Sequence, residues 1–267
     1  MFGYITWDVS PEIFSLGFWA LRWYSLFFAL GFILSHYIML DIFKRDGRTT
    51  EELDKLTFYM ISATILGARI GHCFFYEPQY YLAHPIEILQ VWNGGLASHG
   101  ATVGILLALY IFSKKTQGIT YLWILDRIVI VVALCGSLIR LGNLMNSEIV
   151  GRPTDLPWGF IFVQDSEHYP LVARHPAQLY ESISTFLLFM VLWYLYLKTN
   201  IKYRSGLLFG IFCTYLFSLR IGYEFLKENQ VAFENGLPLN MGQILSIPMV
   251  ALGIYCISNA LKKTANV

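Results

Sequence analysis

Residues 138–155 of this 267-residue chain read LIRLGNLMNSEIVGRPTD and follow directly on the apolar run IVIVVALCGS. An oily segment thus closes on an arginine, two asparagines and a glutamate. An arginine at mid-membrane costs at least about 2.5 kcal/mol even on the lenient insertion scale, so each one needs an explanation. Five arginines lie within or at the ends of apolar segments: Arg22, Arg69, Arg127, Arg140 and Arg220. Arg127, beside Asp126, reads as a snorkelling or paired anchor. The rest have polar company: His72 three residues after Arg69, Asn143 and Asn146 after Arg140, and Glu224 four after Arg220. His99 lies in VWNGGLASHGATVG, residues 91–104, where glycines let backbone or substrate approach and an imidazole can take a proton near neutral pH. Alone, His99 reads as a hydrogen-bonded helix-end histidine. Combined with 138–155, it would give one site a base and several fixed cations.

Those residues must be positioned by membrane helices. The chain is 56% hydrophobic, 16% aromatic and only 14% charged, with a mean hydropathy of +0.52, which marks an integral membrane protein. A formal net charge of +1 and the lack of any like-charge block give no reason to expect a nucleic-acid partner. Cys73, Cys135, Cys213 and Cys256 all lie in apolar runs and read as packing residues rather than as a disulfide framework or metal centre. The opening stretch MFGYITWDVSPEIFSLGFWALRWYSL lacks the basic region and cleavage site of a signal peptide, so the first apolar segment is expected to be retained.

A helix needs about 20 apolar residues to cross the bilayer core. Seven segments qualify: Phe18 to Leu40, Thr57 to Tyr76, Gly94 to Phe112, Tyr121 to Gly142, Tyr180 to Leu197, Arg204 to Phe225 and Asn240 to Ala260. The expected fold is therefore an all-α integral membrane bundle of about seven transmembrane helices, a single polytopic domain over 1–267. Eleven of the nineteen Lys and Arg residues fall in alternate connections, among them Lys44, Arg45, Arg48, Lys114, Lys115, Lys202 and Lys262. That asymmetry places the N-terminus outside and the C-terminus in the cytoplasm. The longest outer connection, Asn143 to Leu179, is expected to form a small cap on the outer surface.

This topology puts Arg22, Arg69, Arg140 and Arg220 in the outer half of the membrane, with His72, His99, Asn143, Asn146, Gln178, Glu181, Glu224 and Gln243. For any single pair, such as Arg220 with Glu224, ordinary helix–helix hydrogen bonding suffices. The whole set on one side points to a site. Gly67-xxx-Gly71, Gly100-xxx-Gly104 and Gly206-xxx-Gly210 permit close helix approach and are explained by packing.

The segments RWYSL (22–26), GARIGHCFFY (67–76), WNGGLASHG (92–100), RLGNLMNSEIVGRPT (140–154), RHPAQLYES (174–182), RIGYEF (220–225) and MGQILSIPM (241–249) resemble, in order, the bacterial prolipoprotein diacylglyceryl transferases. The fourth looks like that family's signature, roughly G-R-x-G-N-F-x-N-G-E-x-x-G. Ile139 stands where the signature starts with Gly, Leu144 replaces Phe and Ser147 replaces Gly; Asn93, Ala97 and Ser98 depart from DGGMSFHG, and Lys227 stands where an arginine is frequent.

The resemblance implies transfer of the diacylglyceryl group of phosphatidylglycerol to the lipobox cysteine thiol in the signal peptide of a preprolipoprotein, with release of glycerol phosphate. It implies the bacterial cytoplasmic (inner) membrane, a site facing the outer leaflet, membrane-held substrates, and neither metal nor organic cofactor. Under it, Arg140 and Arg220 stabilise charge developing on phosphate, with Arg69 as a further headgroup contact. His99 takes the thiol proton. Asn143 and Asn146 hydrogen-bond glycerol or phosphate oxygens, and Tyr24 orients the headgroup. Glu148 with Gly151 shapes the cap, Glu224 holds Arg220, His175 and Gln178 support the site from behind, and Gln243 falls in the last matching segment. A transporter would instead need polar residues through the full membrane depth, whereas the inner half offers only His36 and the Asp126–Arg127 pair. A retinal-type protein would need a lysine in the last span, a metal-dependent headgroup enzyme an acidic cluster, and a scaffold would leave the outer-half convergence unexplained.

Overall fold

The computed structural model describes residues 3–17, 20–164, 170–227 and 239–265. Phe18, the expected start of the first span, and 165–169 of the expected cap lie outside the described residues. The chain is built of helices joined by short strands and turns, and divides into one compact unit of Met39–Leu125 and another of Met1–Ile38 with Asp126–Val267. Among the described residues six helices are long and apolar enough to cross a membrane: α1 (Trp23–Arg45), α2 (Thr50–Phe75), α5 (Tyr121–Met145), α6 (Ala177–Lys198), α7 (Leu207–Glu224) and α8 (Met241–Ala265). The chain is a multi-pass membrane protein. The third expected span is also helical, as α4 (Ser98–Lys115), but with Ser-His-Gly at one end and Ser-Lys-Lys at the other it has no stretch as long and apolar as those of the six.

In the unit of 39–125, α2 starts seven residues before the expected Thr57. The reason is local: Thr49 Oγ1 accepts from the Glu52 amide at 3.2 Å while Glu52 accepts from the Thr49 amide, a capping box that hydropathy does not register. After α2 come α3 (Pro78–Ala83) and 3-10 turns at Pro85–Leu89 and Val91–Asn93. The two small-residue motifs face each other, so that a Cβ on Gly71 would stand 2.6 Å from the Gly100 Cα, and one on Gly67 3.2 Å from the Gly104 Cα. Backbone lies against backbone here. Gly100→Leu is therefore expected to destabilise the protein by about 2 kcal/mol or more, because the obstructing atoms cannot rotate away; unfolding in detergent micelles measures it.

In the other unit the N-terminal residues are extended rather than helical. β2 (Glu12–Ser15) and β3 (Ala20–Arg22) form an antiparallel hairpin, so α1 begins at Trp23 and not at Phe18. β1 (Ile5–Trp7) pairs in parallel with β4 (Phe160–Phe162), within the expected cap. Strands of three or four residues inside an aromatic run carry too few alternations to separate from the start of a span. Leu144, Val150, Phe160 and Phe162, with Trp7 and Leu179 packed on them, make an apolar cluster beside the end of α5. α7 and α8 pack along their length, and Gly210 meets Gly253 of α8 while Gly206 makes the left-handed turn (φ +88°) into α7. Asp126 and Arg127 are both buried: Asp126 accepts from the Gly206 and Phe209 amides at 2.6 and 2.8 Å, capping α7, and Arg127 lies over the Tyr196 ring. The four cysteines are free thiols.

Candidate functional site

α5 carries Arg140 and Asn143 one turn apart, and Arg140 Nη1 donates to Asn143 Oδ1 at 3.0 Å. Asn143 Nδ2 in turn donates to Glu148 Oε1 at 2.7 Å, and Asn146 Nδ2 reaches the same oxygen at 3.4 Å. The two asparagines thus join the arginine to the turn that follows the helix. That turn is sharp: Ser147 and Ile149 both have positive φ, +54° and +58°, on either side of Glu148. The Glu148 amide donates to the Asn143 carbonyl at 3.1 Å, and its own carbonyl accepts from Gln178 Nε2 at 2.7 Å. Tyr24 lies on Gly142, where a Cβ would come 2.8 Å from its ring, and within electrostatic reach of Arg140 and Glu148.

The backbone at Ser147 shows why the signature that this chain resembles carries glycine there. A left-handed residue costs about 1–2 kcal/mol unless it is glycine, and the fully buried Ser147 hydroxyl has no hydrogen-bond partner among the described residues. Ser147→Gly removes both penalties and adds backbone entropy to the unfolded chain. The net expectation is a stabilisation of about 1 kcal/mol, seen as a higher unfolding midpoint in micelles.

On the opposite side of Arg140 stands Glu181 of α6. The Glu181 carboxylate pairs with Arg140 Nε through one oxygen and with Lys227 Nζ through the other. Lys227 Nζ also donates to Glu224 Oε1 at 3.1 Å, and that oxygen lies 3.8 Å from Arg220 Nε. Glu224 Oε2 accepts from Asn240 Nδ2 at 3.0 Å. Gln243 closes the end of α7 by donating to the Ile221 carbonyl at 3.2 Å. A continuous chain of alternating charge therefore links Arg140 to Arg220.

The two arginines line a cavity of about 190 Å³ with Gly136, Glu181, Ser184, Thr185 and Tyr223, and Leu216, Phe217 and Leu219 form its apolar wall. Exposure separates the cations. The Arg220 side chain is 49% exposed and that of Arg140 24%, whereas Lys227 is 4% exposed and enclosed by carboxylates. The arginines have exposed donors to offer a ligand, whereas the Lys227 ammonium is buried against Glu181 and Glu224. A guanidinium pair beside an apolar wall suits an anion that carries hydrocarbon, and among the described residues no histidine or cysteine lines the cavity.

Gly151 and His175 lie in the connection between α5 and α6. The Gly151 amide donates to the His175 carbonyl at 3.0 Å, and Gly151 bridges to Lys227. Burial pushes the His175 imidazole below its ordinary range. A neutral His175 can accept at Nδ1 the hydroxyl of Tyr180, 3.4 Å away, whose oxygen accepts from Trp158 Nε1 at 2.9 Å.

In the unit of 39–125, Arg69 is 2% exposed and its guanidinium is consumed by backbone. It donates to the carbonyls of Glu87, Ile88 and Gly94 at 2.6, 3.1 and 2.7 Å and lies over the Tyr81 ring. It staples the loop that leads to His99. His72 lies against that loop, at Gly95, and stacks on Tyr76. His99 is the second residue of α4, exposed, with its ring against Phe75 and Tyr76 and, among the described residues, no hydrogen bond to either nitrogen. It is not the satisfied helix-end histidine that its position alone suggests. Arg22 pairs with Glu12 at 3.5 Å on the exposed hairpin.

Glu181, Lys227 and Asn240 complete the site, yet the sequence reading gave none of them a role. Glu181 is visible at the right level of the membrane and Lys227 as a departure from the family pattern; nothing in the sequence marks Asn240.

The family model for prolipoprotein diacylglyceryl transferase matches residues 11–258. The chain is 48% identical over 260 residues to the phosphatidylglycerol–prolipoprotein diacylglyceryl transferase of Chloroherpeton thalassium, covering 97% of this chain and 96% of that protein. It is 45% identical to the protein of that name from Tolumonas auensis, over 97% and 98% of the two chains, and 36% identical to that of Chlamydia caviae, over 97% and 95%.

Proposed function

The chain belongs to the prolipoprotein diacylglyceryl transferase family, and from that premise we propose that it moves the diacylglyceryl group of phosphatidylglycerol onto the thiol of a lipobox cysteine in a preprolipoprotein. The enzyme is a transferase, and its reaction is the first step of lipoprotein lipidation. The observation that carries the residue assignment is the cavity where Arg140 and Arg220 face an apolar wall. One ligand must be both anionic and hydrocarbon-bearing, and a phospholipid headgroup region is such a ligand.

The bond that breaks joins the glycerol carbon to the phosphodiester oxygen. The bond that forms joins that carbon to sulfur, and the product is a thioether. Charge gathers on the departing phosphate as the C–O bond lengthens. Arg140 and Arg220 meet that charge with fixed donors, which act strongly because they need no reorientation in a low-dielectric site. Asn143, tied to Arg140 and Glu148, keeps the guanidinium plane in place, with Asn146 and Tyr24 beside it to orient the headgroup. The attacking thiol has an ordinary pKa of about 8.5 and is mostly protonated at neutral pH. His99 takes that proton, which finally leaves with glycerol phosphate or to water. Arg69 acts through the loop it staples, and Gly151, His175 and Gln178 through the turn that holds Glu148.

The Lys and Arg asymmetry of the connections puts the N-terminus outside, the C-terminus in the cytoplasm and this chemistry at the outer leaflet of the bacterial inner membrane. The test uses purified protein in phosphatidylglycerol micelles with a lipobox peptide and its Cys→Ser variant. The cysteine peptide should gain one diacylglyceryl mass, in a linkage that survives cleavage of the acyl esters by base. A product that loses all its added mass in base, or equal modification of the serine peptide, would contradict the assignment.

A further inference from the structure

We propose that Lys227 is a positioning residue that sets the charge of the arginine cavity by holding Glu181 and Glu224, so that Glu181 competes with the lipid phosphate for Arg140. The inference deepens the transferase reading and rests on it. Lys227 is buried and its ammonium touches both carboxylates, each of which also faces one arginine of the cavity. Its own place is set by the connection between α5 and α6. Arg152 Nε donates to the Lys227 carbonyl at 2.9 Å and the Arg152 amide to the Leu226 carbonyl at 2.8 Å. A Cβ on Gly151 would come 2.9 Å from that same Leu226 carbonyl, so only glycine lets the two strands meet. The segment after the signature turn thereby fixes the lysine that the site depends on.

The physical consequence follows from counting charges along the network. Three cations and two carboxylates leave one positive charge, and among the described residues Glu148 is joined to Arg140 only through the Asn143 amide. A phosphate arriving at Arg140 must displace the Glu181 contact, and Lys227 is the partner that then keeps Glu181 paired. Without that second partner a buried carboxylate would be stranded, which is strongly unfavourable. Lys227 thus allows Arg140 to exchange one anion for another, first at binding and again at product release. One ammonium reaches both carboxylates, and what the exchange requires at this place is a buried cation between them.

The test measures the affinity of glycerol phosphate for the full-length protein in detergent micelles by calorimetry, alongside diacylglyceryl transfer to a lipobox peptide. One unit of charge removed or added at about 10 Å from the anion should change affinity by about tenfold at an effective dielectric of about 20. Lys227→Met is expected to weaken binding by about that factor and Glu181→Gln to tighten it by about the same. The double variant restores the net charge and should return to within about threefold of wild type, as should Lys227→Arg. In turnover, Glu181→Gln should lower KM for phosphatidylglycerol and kcat together, because product is held. If Lys227→Met does not fold, Glu181→Gln and Lys227→Arg decide the matter by themselves. Single variants that shift affinity in the same direction, a double variant worse than either, or no saturable binding by wild type would overturn the proposal. Charge-dependent affinity without any lipid transfer would instead leave the network standing and remove the transferase reading. Transfer by wild type with affinities blind to these charges would remove only this inference.

Discussion

Arg140→Ala is expected to lower the rate of diacylglyceryl transfer by about 10²–10³-fold, the usual loss when one fixed donor to a developing anion is removed. The size follows from where Arg140 stands. Its guanidinium is the meeting point of Asn143 on its own helix and Glu181 on α6, and it lines the cavity. Truncation removes the donors and also frees Asn143, the link to Glu148. Glu181 keeps Lys227 as a partner, so the carboxylate is not stranded and the protein should remain folded. Arg220→Ala should be milder, because Arg220 is half exposed and its contact to Glu224 is long, at 3.8 Å. Arg140→Lys should recover little: an ammonium cannot hold Asn143 and Glu181 and still give a bidentate face to phosphate. Initial rates at saturating lipid, with the unfolding midpoint of each variant, measure this.

His99→Gln is expected to lower turnover at pH 7 by about 10²-fold, within the range for a general base. A thiol of ordinary pKa is only about 3% ionised at pH 7, so a variant lacking the base depends on that fraction. Its rate should rise about tenfold per pH unit until the thiol is ionised, near pH 8.5. The wild-type rate should rise less steeply over the same range, so the gap between the two profiles should narrow. Binding of lipid should change little, since among the described residues the imidazole makes only aromatic contacts, with Phe75 and Tyr76. Parallel pH profiles would move the proton acceptor to another group.

The helices and most of the polar residues that matter were legible because membranes leave few options. An apolar run of about 20 residues is a helix, and a charged residue within it must face something. Arg140, Asn143, Arg220 and Glu224 were marked in that way, and the structure draws them into one network in the unit that holds them. Less legible was everything decided by contacts between distant residues. Arg69 looked equivalent to the other arginines, but its donors go to the carbonyls of Glu87, Ile88 and Gly94, an arrangement that requires the 3-10 turns to be known. Asp126 sits at the start of a span, yet it caps α7, some eighty residues away. Lys227 falls outside every apolar segment, and its burial comes from strand-like pairing with Gly151 that no periodicity announces. The hairpin at Glu12–Arg22 was hidden in the same way by an aromatic run.

The most direct measurement follows both products at once, glycerol phosphate and diacylglyceryl peptide, for wild type and Arg140→Ala in the same phosphatidylglycerol micelles. Equal molar amounts of the two from wild type, with both lost together in a variant that still unfolds cooperatively, are the predicted result. Undiminished release of both products by Arg140→Ala would contradict the assignment of the arginine cavity to the departing phosphate.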